Sequence, residues 1–236
     1  MQRSKSALRS LYAIFLAKKT ARAGIIIILC FVILMLIGPI LDPIPPSKTS
    51  AASNLPPSPS HFFGTDFIGH DIFSQIVWGA YPSLFVAISA AFGGVLIGLV
   101  VGVLGGYFRK VEPASTGGAD IILSFPAIPL LILIGSLYTV TDAVVALLLM
   151  LVVWAPVSRA IRSQVLSIKE RPFVDAAKTS GMSDWQLIRR VVIPEVIPIA
   201  IAYFVIIISV AIVLVTSLEF LGIGNPNEIS WGSMLF

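Results

Sequence analysis

The sequence predicts an all-α integral membrane protein with five transmembrane helices, and three observations carry that expectation. First, 57% of the 236 residues are hydrophobic and 12% are charged, about half the roughly 25% charge of a soluble domain. Second, the apolar residues gather into five long runs separated by polar, glycine-punctuated or proline-rich stretches. Third, of the 16 Lys and Arg residues only Lys48 lies outside three places: the first 22 residues, Arg109–Lys110, and Arg159–Arg190. Loops rich in Lys and Arg stay on the cytoplasmic side of a membrane. That distribution places the N-terminus inside and explains the net charge of +4 without a nucleic-acid partner.

Residues 1–23 form a basic tail in which Leu8, Leu11, Tyr12, Phe15 and Leu16 share one helical stripe. Such a helix would lie along the inner membrane surface against lipid, although a plain cytoplasmic tail also fits. Residues 24–41 contain no charge and are just long enough to cross about 30 Å of hydrocarbon. The run is longer than a signal-peptide core and no cleavage site follows closely, so it reads as an uncleaved anchor. Cys30, the single cysteine, sits within it and offers neither a disulfide nor a metal cluster. Residues 42–82 begin as a proline-rich extended linker and continue as "HFFGTDFIGHDIFSQIVWGAYPSL", which the charge pattern places outside.

Residues 83–236 hold the remaining four runs. In the second, 83–107, Gly94, Gly98, Gly102 and Gly106 recur every four residues. Small residues on one helix face let two backbones approach closely in lipid, so this face is expected to pack along another helix. The third, 119–140, is interrupted by Pro126 and Pro129, which either shape a path or kink the helix without lining one. The fourth is 143–160 and the fifth 196–218. Between these last two lies a charged segment, 161–195, expected in the cytoplasm.

That segment is dense in helix punctuation. Pro172 suits a first helical turn and Gly181 a left-handed C′ position. Ser183 and Gln186 have capping-box spacing, Met182 and Leu187 staple spacing, and Pro194 is expected to close the second helix. Being tethered at both ends to membrane helices, the resulting helix–turn–helix has no freedom to enter a DNA groove. Small residues at Ala176 and Ala177, between Asp175 and Lys178, would fit a groove on another protein; a purely structural interfacial loop is the alternative.

"DAAKTSGMSDWQLIRRVVIP" resembles the EAA loop of ABC-importer permeases, E-A-A-x3-G-x9-I-x-L-P. The pattern falls on Asp175, Ala176, Ala177, Gly181, Val191, Ile193 and Pro194, with conservative exchanges at Asp175, Val191 and Ile193. The upstream segment is similar to GTD-x2-GRD-x2-SR-x3-GA-x2-SL of the second permease subunit of dipeptide, oligopeptide and nickel importers. It supplies Gly64, Thr65, Asp66, Gly69 and Asp71, with His70 and Gln75 in place of two arginines. "LEFLGIGNPNEISWGSML" is similar to a third motif of that subgroup.

The resemblance implies a type I importer permease fold in the inner membrane of a prokaryote. It also implies a second permease subunit, two cytoplasmic ATPases that bind ATP and Mg, and an external or periplasmic solute-binding protein. The helix bearing Asp175–Lys178 would be the coupling helix. The family usually has six membrane helices and continues beyond the position of Phe236, so a non-translocating scaffold or truncated subunit is the alternative reading. Independently of the family, Asp120, Asp142, Glu195 and Glu219 all fall at segment boundaries, and both histidines lie in external segments. This leaves no proton relay of the kind a secondary transporter carries, and no nucleophile–base pair or metal-ligand cluster within the spans for intramembrane enzyme chemistry. No G-x4-G-K-[ST] phosphate loop occurs, so nucleotide would be bound by a partner chain. The sequence does not discriminate among peptide, nickel and oligosaccharide cargo.

Overall fold

The computed structural model describes residues 19–41, 52–137, 140–225 and 228–235. The stripe from Leu8 to Leu16, the first half of the proline-rich linker and the end of the third apolar run lie outside the described residues. Helices form the architecture: α1 Lys19–Leu41, α2 Ile72–Tyr107, α3 Glu112–Ser124, α4 Ala127–Gly135, α5 Asp142–Lys169, α6 Pro172–Thr179, α7 Asp184–Leu187 and α8 Ile193–Phe220. Among the described residues the only β pairing is two isolated bridges, Ser58 with His61 and Thr65 with Asp71. The chain divides into two compact units, Met1–Tyr81 and Pro82–Phe236.

By length and composition three helices can cross a membrane: Ile72–Tyr107, Asp142–Lys169, and the continuous run Asp184–Phe220. The apolar part of α1, Arg22–Ile37, is shorter. The third apolar run is not one straight span: α3 and α4 meet at an angle of 85°. Phe125 sits at φ −91°, ψ 138°, the extended conformation forced on a residue whose neighbour is proline. Pro129 falls in the first turn of α4, where its missing N–H is not needed. The five expected spans are thus three long helices, one broken pair and a shorter apolar helix.

Within Pro82–Phe236 the glycine face of α2 lies on α5. A Cβ added to Gly98 would stand 2.7 Å from Val157 Cβ, one on Gly102 2.8 Å from Ile161 Cβ, and one on Gly106 2.8 Å from Val165 Cβ; Gly94 meets Val153 in the same way. The carbonyl oxygens of Trp154, Ser158 and Arg162 face Gly98, Gly102 and Gly106 in turn. That arrangement suits Cα–H···O contacts, worth roughly 0.5–1 kcal/mol each. On the next face Gly105 admits Ser115 of α3, whose hydroxyl donates to the Val101 carbonyl at 3.2 Å. Arg159 and Arg162 of α5 pair with Asp120 and Glu112 of α3.

Two apolar clusters fill the bundle. One joins Val103, Val157, Ile161 and Val165 to Val174, Leu187, Ile188 and Val192. The other joins Val86, Ala90, Leu131, Leu149, Val215 and Leu218. Outward-facing residues such as Leu147, Leu151, Ile201, Val205 and Val213 remain exposed, as lipid-facing positions of a membrane bundle do.

Gly98→Val is expected to lower the thermal midpoint of the detergent-solubilised protein, because overpacking a tight contact costs about 1–3 kcal/mol. Gly117→Ala, where nothing lies within 4 Å, should leave the midpoint unchanged or raise it, since alanine favours a helix over glycine by up to about 1 kcal/mol. Equal midpoints for Gly98→Val and wild type would contradict the close packing of α2 on α5.

Candidate functional site

The segment between α5 and α8 is built as a short helix–turn–helix knuckle. Helix α6 starts at Pro172 and presents Asp175, Ala176 and Lys178 to solvent, while Val174 is buried. It ends in a Schellman motif: the Met182 N–H donates to the Ala177 carbonyl at 3.2 Å and the Gly181 N–H to the Lys178 carbonyl at 2.9 Å. Gly181 adopts φ +83° with no neighbour within 4 Å, so its requirement for glycine is conformational and owes nothing to space.

The Ser183 hydroxyl accepts the Gln186 N–H while the Gln186 side chain accepts the Ser183 N–H, a complete capping box. Leu187 and Ile188 are buried beneath it and Met182 packs on the same cluster. Pro194 does not close this helix. A π-helical turn at Ile188–Val192, with the Ile193 N–H donating to the Ile188 carbonyl, carries the chain directly into α8. Pro194 then falls in the first turn of α8, where the widened register spares its missing donor.

The knuckle is tied to α2 and α5 by polar contacts that the sequence did not announce. Tyr107 Oη donates to Asp184 Oδ1 at 2.7 Å. Lys169 Nζ donates to the Tyr107 carbonyl at 2.8 Å and the Gly106 carbonyl at 3.3 Å, and stands 5.4 Å from the Tyr107 ring centroid. A cation thus satisfies the orphan carbonyls at the end of α2, where the helix dipole is negative. Arg171 and Glu195 pair at 3.6 Å across the base.

The segment Gly64–Asp71 forms a second ordered cluster, within the first unit. Asp66 Oδ1 accepts the N–H groups of Ile68, Gly69 and His70 at 2.8–2.9 Å, and its Oδ2 accepts Gln75 Nε2 at 2.7 Å. His70 Nδ1 lies 3.4 Å from the same carboxylate. Burial opposes the Asp66 charge, but the donors from His70, Gln75 and Ile68 outweigh it and hold the carboxyl below its ordinary value. Asp71 accepts the Ser74 N–H at 2.9 Å, capping α2, and His61 Nδ1 at 2.7 Å. Thr65 Oγ1 donates to the Ala52 carbonyl at 2.8 Å. Gly64 and Gly69 both take positive φ, +77° and +93°. His70 and Gln75, which replace two cations of the motif, both engage Asp66.

The family described as binding-protein-dependent transport system inner membrane component matches residues 94–235, the part of the chain that carries the α2–α5 contact and the knuckle. The chain belongs to this family. It is 33% identical over 219 residues to the dipeptide transport system permease protein DppC of Bacillus subtilis, covering 92% of this chain and 68% of that protein. It is 34% identical to the DppC of Alkalihalophilus pseudofirmus, over 92% of this chain and 72% of that protein. A putative peptide transport system permease protein of Brucella suis is 28% identical over 92% of this chain and 74% of its own length.

Membership makes the chain a subunit of a binding-protein-dependent ABC importer and a multi-pass inner-membrane permease. The EAA-type residues of this permease divide by environment. Asp175, Ala176, Lys178 and Gly181 face outward; Val191 and Ile193 are half-buried against the apolar cluster, as is Ala177, and Pro194 is exposed. The Gly64–Asp71 residues are hydrogen-bonded to one another and to neighbours within the first unit. Tyr107 and Lys169 escaped sequence reading because each stands singly; a basic residue in the last turn of α5 was the only signal.

Tyr107→Phe removes a hydrogen bond to a carboxylate, worth about 1.5–3 kcal/mol. Amide hydrogen exchange across 174–188 is expected to accelerate in the assembled permease, while exchange along α2 stays unchanged. Unaltered protection of the knuckle would show that the Tyr107–Asp184 contact does not hold it.

Proposed function

We propose that this chain is a peptide-carrying permease subunit that α6 couples to a cytoplasmic ATPase. The observation that carries the reading is the division of the EAA-type segment into an outward face, Asp175, Ala176 and Lys178, and a buried base, Val174, Leu187, Ile188 and Val192. A flat, small-residue surface on a clamped helix fits a groove on a partner, and its base is continuous with the apolar core of the bundle. Movement imposed on α6 would therefore reach α2, α5 and α8 as rigid elements.

The cation distribution favours a cytoplasmic N-terminus, with the knuckle on the same side and the Gly64–Asp71 cluster outside. On this reading a second permease subunit completes the path and two ATPases hold ATP and Mg. An external solute-binding protein delivers the cargo, and this chain performs no hydrolysis. Peptide cargo rests on the relatives' names and on the similarity over 92% of the chain.

The test is ATP-driven uptake in proteoliposomes that contain this chain, its partner permease, the ATPases and the binding protein. Gly181→Val places a β-branched residue at positive φ, costing roughly 1–2 kcal/mol locally. It should cut peptide uptake by about tenfold while ATP hydrolysis continues, or release the ATPase on purification. Normal coupled uptake with the ATPase retained would contradict the coupling role. Normal assembly without peptide uptake by the wild type would point to a scaffold or to other cargo.

A further inference from the structure

Between α2 and α8 a groove of about 280 Å³ opens on the surface of the second unit, lined wholly by apolar residues. Phe92 and Leu96 of α2 and Ile197 and Ile201 of α8 stand exposed at its rims, while the buried Val95 and Ala200 form its floor. That floor belongs to the same apolar cluster as the base of the knuckle. In a bilayer, hydrocarbon fills such a groove without a desolvation cost, but the groove alone selects no particular lipid.

The charges beside it do. Arg109 and Lys110 follow α2 directly, and Arg189 and Arg190 lie in the π-helical turn that leads into α8. All four are exposed, and among the described residues none of their side chains makes an ion pair or a hydrogen bond. The acids nearest them in sequence are already engaged: Glu112 by Arg162, Asp184 by Tyr107 and Glu195 by Arg171. Because the Tyr107–Asp184 hydrogen bond joins the end of α2 to the start of α7, the two cation pairs share one end of the bundle.

The spacing suits a single two-part ligand. Seven residues separate Arg190 from Ile197, and eight separate Leu99, also in the lining, from the end of α2 at Tyr107, about 10–12 Å of helix. The layer between hydrocarbon and headgroup is roughly 5–8 Å deep on each side of a bilayer, and long basic side chains extend along it. A phosphate held at the cations therefore sets the first acyl methylenes level with the groove.

We infer that the α2–α8 groove binds one anionic phospholipid from the leaflet on the knuckle side. An acyl chain lies over Val95 and Ala200, and Arg189, Arg190, Arg109 and Lys110 hold the phosphate. Guanidinium groups take phosphate oxygens through paired N–H donors, and basic pockets beside membrane helices recognise anionic headgroups. The bound lipid braces α2 against α8 next to the knuckle. The site needs neither peptide cargo nor ATPase coupling to form.

The complete transporter, purified in detergent, is photolabelled with a phosphatidylglycerol that carries a diazirine in one acyl chain, and the adducts are mapped by mass spectrometry. Adducts should concentrate in 92–99 and 197–204 over exposed apolar residues elsewhere, such as Leu147 and Val213. Unlabelled phosphatidylglycerol should compete about tenfold better than phosphatidylcholine of the same chains, and inorganic phosphate should not compete. Arg189→Gln combined with Arg190→Gln should cut groove labelling about tenfold, whereas Arg189→Lys with Arg190→Lys should retain most of it. Ala200→Phe fills the floor and should abolish labelling there. Phe92→Ala, at an exposed rim where overpacking cannot arise, should weaken it and guards against misfolding.

Equal competition by phosphatidylcholine, or adducts spread evenly over the apolar surface, overturns the site, since the groove would then hold bulk lipid. Competition by inorganic phosphate as strong as by phosphatidylglycerol overturns it as well, because no chain would be seated. Absence of groove adducts in the wild type would assign the groove to a partner permease and equally contradict it.

Discussion

The close approach of α2 and α5 is the constraint on which the rest of the second unit depends. Lipid offers no apolar driving force for helix association, so contact must come from fit and from backbone-to-backbone interactions. Four glycines in one register, Gly94, Gly98, Gly102 and Gly106, let the carbonyls of Trp154, Ser158 and Arg162 reach the opposing chain. A β-carbon at any of these positions would force the helices apart. The seam runs to the end of α2, where Tyr107 and Lys169 take over from packing with directed hydrogen bonds.

This continuity explains how a charged segment can belong to a greasy bundle. The knuckle keeps its charge on the outward face of α6 and its capping groups in water, while its underside merges with the apolar cluster. No flexible linker separates the two: α5 ends at Lys169, α6 begins at Pro172, and the π-helical turn leads without a break into α8. Each connection is short: α6 ends in a Schellman turn, α7 starts at a capping box, and Lys169 satisfies carbonyls at the end of α2. On the proposed coupling role, movement of α6 would pass through these short connections to the seam.

Much of this was legible in the sequence, and for identifiable reasons. Pro172, Gly181, Ser183 and Gln186 act through local backbone chemistry, which spacing encodes, and the structure puts each at the helix start, C′, N-cap and N3 positions. The fourfold glycine repeat is likewise a one-dimensional record of a helix face. Three features were not legible. The 85° break between α3 and α4 depends on how Phe125 responds to Pro126 among its neighbours. The passage through Pro194 needed a change of helical register that periodicity does not carry. The beginning of α2 at Ile72, well before the apolar run, is set by the Asp71 cap in a polar stretch. Contacts between distant single residues were also invisible: Tyr107 with Asp184, and the approach of Glu228 to Asp142 and Glu219, the last two of which read in sequence only as boundary residues.

On the proposed function, the knuckle and the α2–α5 seam form one rigid body that transmits the stroke of a partner ATPase. The most direct measurement is the distance between spin labels at Lys110→Cys and Ser180→Cys, in a Cys30→Ser background of the assembled transporter, with and without a trapped ATP analogue. One narrow distance, the same in both states, is the result this account expects. A distance that broadens or shifts on nucleotide binding would contradict it, because the knuckle would then be moving against the seam instead of with it.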